Sequence, residues 1–345
     1  MKKPNIYDIA KRVNVSSATV SYVLNGKEGK VSEATKKRIY KAMEELGYTR
    51  DHAAVSLSTG KSHLIGIVLP LNATSEAFFN NPFYGEFLGS FDEVLQENGY
   101  DVIICSAKSV ADFERWYKSR ALDGVVVLGS LSAEMEKALT RINALAVLVD
   151  VYDDYSSPFT NIRINDENGE YAATAHLLSL GHTRIGYLGG PDDSIVNHRR
   201  YCGYEKALLE RDLPISKDII FHTLTTFEGG YEMGEEIAAK LSKMSAIVVD
   251  ADIIAIGLVR RLLELGYSLP KDLSIIGFDD IQPSQYVYPS LTTVHQDIRE
   301  KGALSAKTIL DELSNKPSSK KTYVIEPRII VRQSTIQALG EKALS

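Results

Sequence analysis

Apolar residues recur at helical intervals through Ile6–Val13, where Ile6, Ile9, Ala10 and Val13 share one face. Asn14-Val15 interrupts the pattern; Ala18, Val20, Val23 and Leu24 resume it behind Ser16 as N-cap, until Asn25-Gly26 ends the segment. Ser32 opens a third helix, which Thr35, Ile39, Ala42, Met43 and Leu46 carry to a stop at Gly47. Three short helices ahead of residue 50 predict one small bundle containing a helix, a turn and a second helix. From Leu64 the rhythm changes to continuous apolar runs at 65–69, 102–105, 124–128, 144–149, 184–188, 246–249 and 273–276, separated by amphipathic helices. Strands that are apolar throughout are covered on both faces, so the alternation predicts parallel sheets flanked by helices. The body is too long for one comfortable domain, and its rhythm divides near residues 162–164. The expected fold class is α + α/β: a three-helix head followed by two doubly wound parallel α/β lobes.

Composition sharpens this picture in three respects. With 345 residues, 44% hydrophobic, the chain can bury substantial cores. Pro4-Asn5 stands where a secretory leader would need its apolar stretch, and no run approaches the ~18 apolar residues of a bilayer span, so a cytoplasmic protein is expected. Cys105 and Cys202 lie in apolar or amphipathic segments without ligand spacing, and the seven histidines form no metal-spaced set, so neither disulfide, metal nor cofactor is expected. The net charge of −6 hides an asymmetry: residues 1–60 hold 11 Lys/Arg against 6 Asp/Glu, and the remainder 28 against 39. A head of +5 on a body of −11 fits a module that meets phosphates while the rest repels them. A solvated charged face would give the same numbers.

The second helix carries Ser17, Ala18, Ser21 and Tyr22 on its polar side, groups small or hydroxylated enough to sit deep in a major groove. Ser16, Thr19 and the amides at the helix start can hold phosphate oxygens. The same serines would also suit the surface of an ordinary bundle. Ile6-Tyr7-Asp8-Ile9-Ala10, Val15-Ser16, Thr19-Val20-Ser21, Val23-Leu24-Asn25 and Leu46-Gly47-Tyr48 together resemble the head of the lactose/galactose repressor (LacI/GalR) family. That resemblance implies that Ser17, Ala18 and Tyr22 face the bases, with Tyr7 and Asn25 among the other DNA contacts. Tyr22 stands where the family usually has an arginine, a bidentate reader of guanine, so the usual operator is not expected.

After Tyr48, residues 52–57 could form only about one and a half helical turns, too few to be stable alone in water. The resemblance implies that two such segments pair on DNA, with Ala54 and Val55 beside it and Leu57 pushed into the minor groove. Arg50-Asp51 and Val55 depart from the family's Pro-Asn and Arg. Gly60-Lys61-Ser62 imitates the end of a phosphate-binding loop, but Val55 occupies the place of its first glycine and no strand precedes it.

For the body the resemblance implies a periplasmic-binding-protein type I fold. It spans Gly181-His182, Ile185-Gly186, Gly203-Tyr204, Gly277-Phe278-Asp279-Asp280, Leu291-Thr292-Thr293-Val294 and Arg332-Gln333-Ser334 in family order. The domain boundaries expected are a head at 1–49, a hinge at 50–62, an N-terminal lobe at 63–163 and 292–325, a C-terminal lobe at 164–291 and 326–336, and a tail at 337–345. Ligands of open α/β sheets bind beyond the carboxyl ends of strands. Asp150 and Asp279 stand at such ends, and Arg200 lies on the helix after the 184–188 strand; two carboxylates and a guanidinium suit the hydroxyls of a sugar. Matched to the family, all three fall on effector-binding positions, and Phe83 on an effector-stacking aromatic. Phe227 is a candidate second wall, with Asn197 and Asp166 as further candidates, and Ala251 replaces a polar residue usual before the aspartate matching Asp252.

These readings converge on a dimeric repressor of a carbohydrate operon, binding a palindromic operator and controlled by a sugar between the lobes. Three alternatives remain open at this stage: a purine or nucleoside effector, a protein co-effector, and a sugar-binding protein without specific DNA regulation. No nucleophile, metal or cofactor motif is assembled, so catalysis is not expected, although the Asp279-Asp280 pair leaves room for an acid pair in the cleft.

Overall fold

The computed structural model describes residues 4–24, 30–48, 60–69, 75–105, 107–129, 131–152, 157–191, 194–316 and 320–338. The chain falls into two compact units, 1–62 and 63–345.

The first unit contains α1 (Ile6–Val13), α2 (Ser17–Leu24) and α3 (Glu33–Leu46). Asn5 caps α1 in a reciprocal box: its side chain accepts from the amides of Tyr7 and Asp8, and its own amide donates to Asp8 Oδ2 at 2.9 Å. Asn14 ends the helix at φ 57°, and Gly47 ends α3 at φ 61°, the left-handed caps that turn the chain sharply. Ile9, Val20 and Ile39 contribute one fully buried side chain from each helix, which is what lets so small a bundle hold a core.

The second unit holds two six-stranded sheets of matching topology. The first is ordered β2 (Asp101–Cys105), β1 (Leu64–Val68), β3 (Gly124–Leu128), β4 (Ala146–Val149), β5 (Thr160–Ile164), β11 (Thr322–Ile325). The second is ordered β7 (Ile220–His222), β6 (Ile185–Gly189), β8 (Ala246–Val249), β9 (Ser274–Asp279), β10 (Thr292–His295), β12 (Arg328–Ile330). All neighbours run parallel except β12, which is antiparallel to β10.

The helices are α4 (Ser75–Asn80), α5 (Pro82–Glu97), α6 (Val110–Arg120), α7 (Ala133–Arg141), α8 (Asp166–Ser179), α9 (Ile195–Leu209), α10 (Phe227–Ala238), α11 (Asp252–Glu264) and α12 (Ile298–Leu313). Alternation along the central strands sends Val126 and Val147 toward Phe87 and Phe91 of α5 and Ile309 of α12, and sends Val125 and Leu148 toward Phe113 of α6 and Leu139 of α7. The second sheet does the same, with Ile247 and Ile275 facing Ile254 and Leu258 of α11, and Val248 and Ile276 facing Leu177 of α8 and Tyr204 of α9. Burial on both faces is why these strands read as unbroken apolar runs. At the α8–α9 crossing a Cβ on Gly203 would lie 2.1 Å from the Glu167 carbonyl oxygen, so only glycine permits that approach.

The chain passes between the lobes after β5, between β10 and α12, and between β11 and β12. One expected boundary is corrected. Thr292–His295 pairs with β9 and β12 in the second sheet, so the return to the first lobe comes after His295 and not at 292. The short strand Thr-Thr-Val-His is too polar to announce itself, and it is fixed by its neighbours: Thr292 Oγ1 meets Thr335 Oγ1 at 3.1 Å, and Thr293 Oγ1 donates to Asp252 at 2.6 Å.

Candidate functional site: an inter-lobe polar cluster and an exposed helix face

In an open sheet of this order, the strand sequence reverses direction beside the first strand of each lobe, and the carboxyl ends there form the natural ligand crevice. Asp150 follows β4 with φ 55°, and Asp279 ends β9 with φ 115°. Backbone conformations rare for such residues persist where the surroundings over-determine them, and they collect at functional sites.

Lys301 of α12, fully buried, donates from Nζ to both Asp150 oxygens at 2.9 and 2.7 Å and to Gln296 Oε1 at 2.6 Å. Gln296, in the crossing segment, donates in turn to Asp279 Oδ1 at 2.5 Å. Arg200 of α9 completes the chain: its Nε donates to Asp166 Oδ1 at 2.8 Å, its Nη1 lies 3.7 Å from Asp279 Oδ1 and donates to the Asp250 carbonyl, and its guanidinium stacks 3.6 Å from the Phe278 ring centroid. The Tyr152 hydroxyl lies between two acceptors, the Ile164 carbonyl at 2.8 Å and Asp166 Oδ2, and shares its one proton between them. The polar chain therefore joins the strand ends of both lobes. Phe83 opens α5 below Lys301, with Nζ 5.4 Å from its centroid; Tyr84 meets it edge-on and stacks on Phe78 at 4.1 Å.

Burial dominates the electrostatics. It pushes the Asp279 carboxyl up to about 7 against the opposing pull of Arg200, Gln296 and Lys301. It pushes Asp250 up to about 6 against Arg200, and raises Asp150 despite Lys301. Tyr84 is raised to about 12, by burial first and then by Asp150 and Asp279. Such a site, with carboxyls that titrate toward neutral pH beside a guanidinium, can both accept from and donate to a ligand's hydroxyls.

Four expected residues, Phe83, Asp150, Arg200 and Asp279, are thus brought together with Asp166. Asn197 stands apart from their hydrogen bonds: its side chain donates to the Pro191 carbonyl at 3.0 Å and lines a cavity of about 380 Å³ beside Tyr187, Tyr201 and His222. Phe227 opens α10, and its ring contact is with Tyr231 of the same helix, centroids 6.2 Å apart. Asp252 is committed internally, accepting from Ser284, Thr293 and the Ile281 amide. Asp280 faces a different network, hydrogen-bonded to His295 Nδ1 at 2.8 Å and ion-paired to Arg332 at 2.5 Å, so it forms no acid pair with Asp279. Ala251 occupies the N-cap of α11 without any side-chain cap.

Lys301 and Gln296 escaped sequence reasoning. The available signal was periodicity: Lys301 lies on the stripe of Ile298, Ser305 and Ile309, which is the buried face of α12.

On the head, Ala18 is exposed and Ser17, Ser21 and Tyr22 are half-buried on the side of α2 opposite the buried Val20 and Val23. Ser16 Oγ accepts from the Thr19 amide at 3.1 Å and meets Thr19 Oγ1 at 2.9 Å, so the two hydroxyls cap the helix together. Tyr7 is 68% exposed, and Lys30 Nζ lies 5.1 Å from the Tyr22 ring. Asn25, Ala54, Val55 and Leu57 lie outside the described residues.

A helix-turn-helix unit followed by two such lobes defines a class of bacterial transcriptional regulators. Residues 5–51 match the model of bacterial regulatory proteins, lacI family, and residues 174–335 that of a periplasmic binding protein-like domain. The HTH-type transcriptional repressor PurR of Vibrio parahaemolyticus is 30% identical over 340 residues, covering 97% of this chain and 99% of that protein. A lac repressor dimer bound to operator and the anti-inducer ONPF superposes with a TM-score of 0.83 at 24% identity, over 97% of this chain and 100% of that one. A lacI-family regulator from Enterococcus faecium with bound ribose gives 0.70 at 28% identity, over 80% and 100%. The chain belongs to the lacI family and is a transcriptional regulator. Among the described residues no helix is long and apolar enough to cross a membrane.

Proposed function

We propose that the protein represses a carbohydrate uptake or utilisation operon, binding a palindromic operator as a homodimer and responding to a sugar held between the lobes. The observation that carries this reading is the polar chain Asp150–Lys301–Gln296–Asp279–Arg200–Asp166, hydrogen-bonded except for the 3.7 Å ion pair of Asp279 with Arg200, which links both lobes and offers carboxylates and a guanidinium at the strand ends. A polyhydroxyl ligand exchanges such internal bonds for its own with little loss, whereas a nucleobase needs an open aromatic face, and Lys301 covers one face of Phe83. The ribose-bound relative supports the same ligand class. A sugar that shifts operator affinity about 100-fold needs roughly 2.7 kcal/mol of differential binding.

The test is fluorescence anisotropy against a randomised palindromic duplex library at fixed salt, with and without panels of sugars and nucleosides. Selection of a two-fold operator whose affinity changes with one sugar is the expected result. A response to a nucleoside alone overturns the sugar, and sequence-indifferent binding overturns the regulatory reading.

A further inference from the structure

Glu170 is fully buried on α8, one helical turn beyond Asp166 and on the same face, and neither of its carboxyl oxygens accepts a hydrogen bond from the described residues. Asp250, 1% exposed at the end of β8, is partly similar: Oδ2 accepts from the Gly190 amide at 3.2 Å, the Tyr187 hydroxyl also acts on this carboxylate, and Oδ1 is left without a partner among the described residues. The charged groups that act on Glu170 are Asp166 of its own helix, Asp250 after β8, Asp279 of β9 and Arg200 of α9. Four carboxyl groups therefore crowd around one guanidinium, with Lys301, bonded to Asp150 and Gln296, acting among them only on Asp279. Buried charge of one sign in excess must be relieved by protons or by what binds beside it. A ligand that brings donors or positive charge relieves it; a ligand that brings negative charge forces more protons onto the cluster.

Building on the sugar-effector reading, we propose that this acidic floor makes the cleft anion-excluding, so that the effector is an uncharged or amino-substituted sugar and never a sugar phosphate or sugar acid, with Glu170 as a specificity-determining residue. Burial raises the Glu170 carboxyl well above its ordinary range, with Asp250 adding to the effect. The exclusion consequently strengthens as pH rises and these acids lose their protons.

Calorimetric titration of the full chain with charge-matched probes tests this: glucose, glucosamine, glucose 6-phosphate, glucuronate and ribose, and adenosine beside AMP, at about pH 6 and about pH 8. The expected result is binding confined to uncharged or amino members, with discrimination growing toward the higher pH and E170Q weakening it there by roughly tenfold. A phosphorylated or acidic probe binding as tightly as its neutral partner overturns the proposal. Binding of adenosine but not AMP would overturn the sugar and uphold the exclusion. If no probe binds, thermal unfolding of the unliganded proteins decides: E170Q should gain stability on the parent steadily as pH rises from 4.5 toward about 8, and a difference that stays constant across that range overturns the acidic floor.

Discussion

Asp279 sits at φ 115°, with Gln296 on one carboxyl oxygen and Arg200 close by, and burial still holds its proton to about 7. An unfolded aspartate titrates near 3.8, so between those values the native state keeps a proton that the unfolded chain has released. Stability therefore falls as pH rises from about 4 to about 7. Asp279→Asn should flatten that fall, measured as urea-unfolding midpoints along a pH series; an unchanged slope would place the titration elsewhere. Arg200 poses the converse problem. Removing it leaves Asp166, Asp250 and Asp279 buried without their shared cation, and Arg200→Ala should cost about 3–5 kcal/mol in denaturant unfolding while abolishing any effector response.

Among the elements, the α8–α9 pair depends on Gly203, because an added methyl would press on the Glu167 backbone and not on a side chain that can move. Gly203→Ala should lower stability by about 2 kcal/mol or more and shift Arg200, which lies on the same helix. A melting temperature equal to the parent's would show that the crossing can open without loss. On α2, Tyr22 presents a ring where a bidentate guanine reader is the family habit. Tyr22→Arg should move the selected operator toward guanine at the facing base pair, read by selection from a randomised duplex pool. The head's elements were legible because each carried a stop and a cap in its own sequence, although the reciprocal box of Asn5 and Asp8 was not foreseen. Central strands such as Gly124–Leu128 and Ala246–Val249 were equally plain, since burial on both faces leaves no polar position. Thr160–Ile164, Thr292–His295, Thr322–Ile325 and Arg328–Ile330 were not, because in polar or outlying strands pairing partners decide what local composition cannot.

In the whole molecule, the strand ends supplied Asp150 and Asp279 to sequence reasoning, because an acid closing an apolar run is conspicuous. Lys301 and Glu170 were hidden by the opposite circumstance: a charged residue on an amphipathic helix reads as surface unless its place in the apolar stripe is counted. Neither lobe is a continuous stretch of chain, and this bears on how the protein is made. β11 pairs with β5 at one edge of the first sheet, and β12 with β10 at one edge of the second, so both sheets wait for residues 322–330 to leave the ribosome. Until Thr322–Ile325 emerges, β5 presents a row of unpaired amides and carbonyls in a crowded cell, a template for pairing with another nascent chain. A message truncated after Leu313 should accordingly yield pelleted protein and not a soluble half-repressor, and its solubility on expression is the direct check. The order of synthesis thus makes β11 and β12 a quality gate, withholding two completed sheets from any chain whose translation stops short of them.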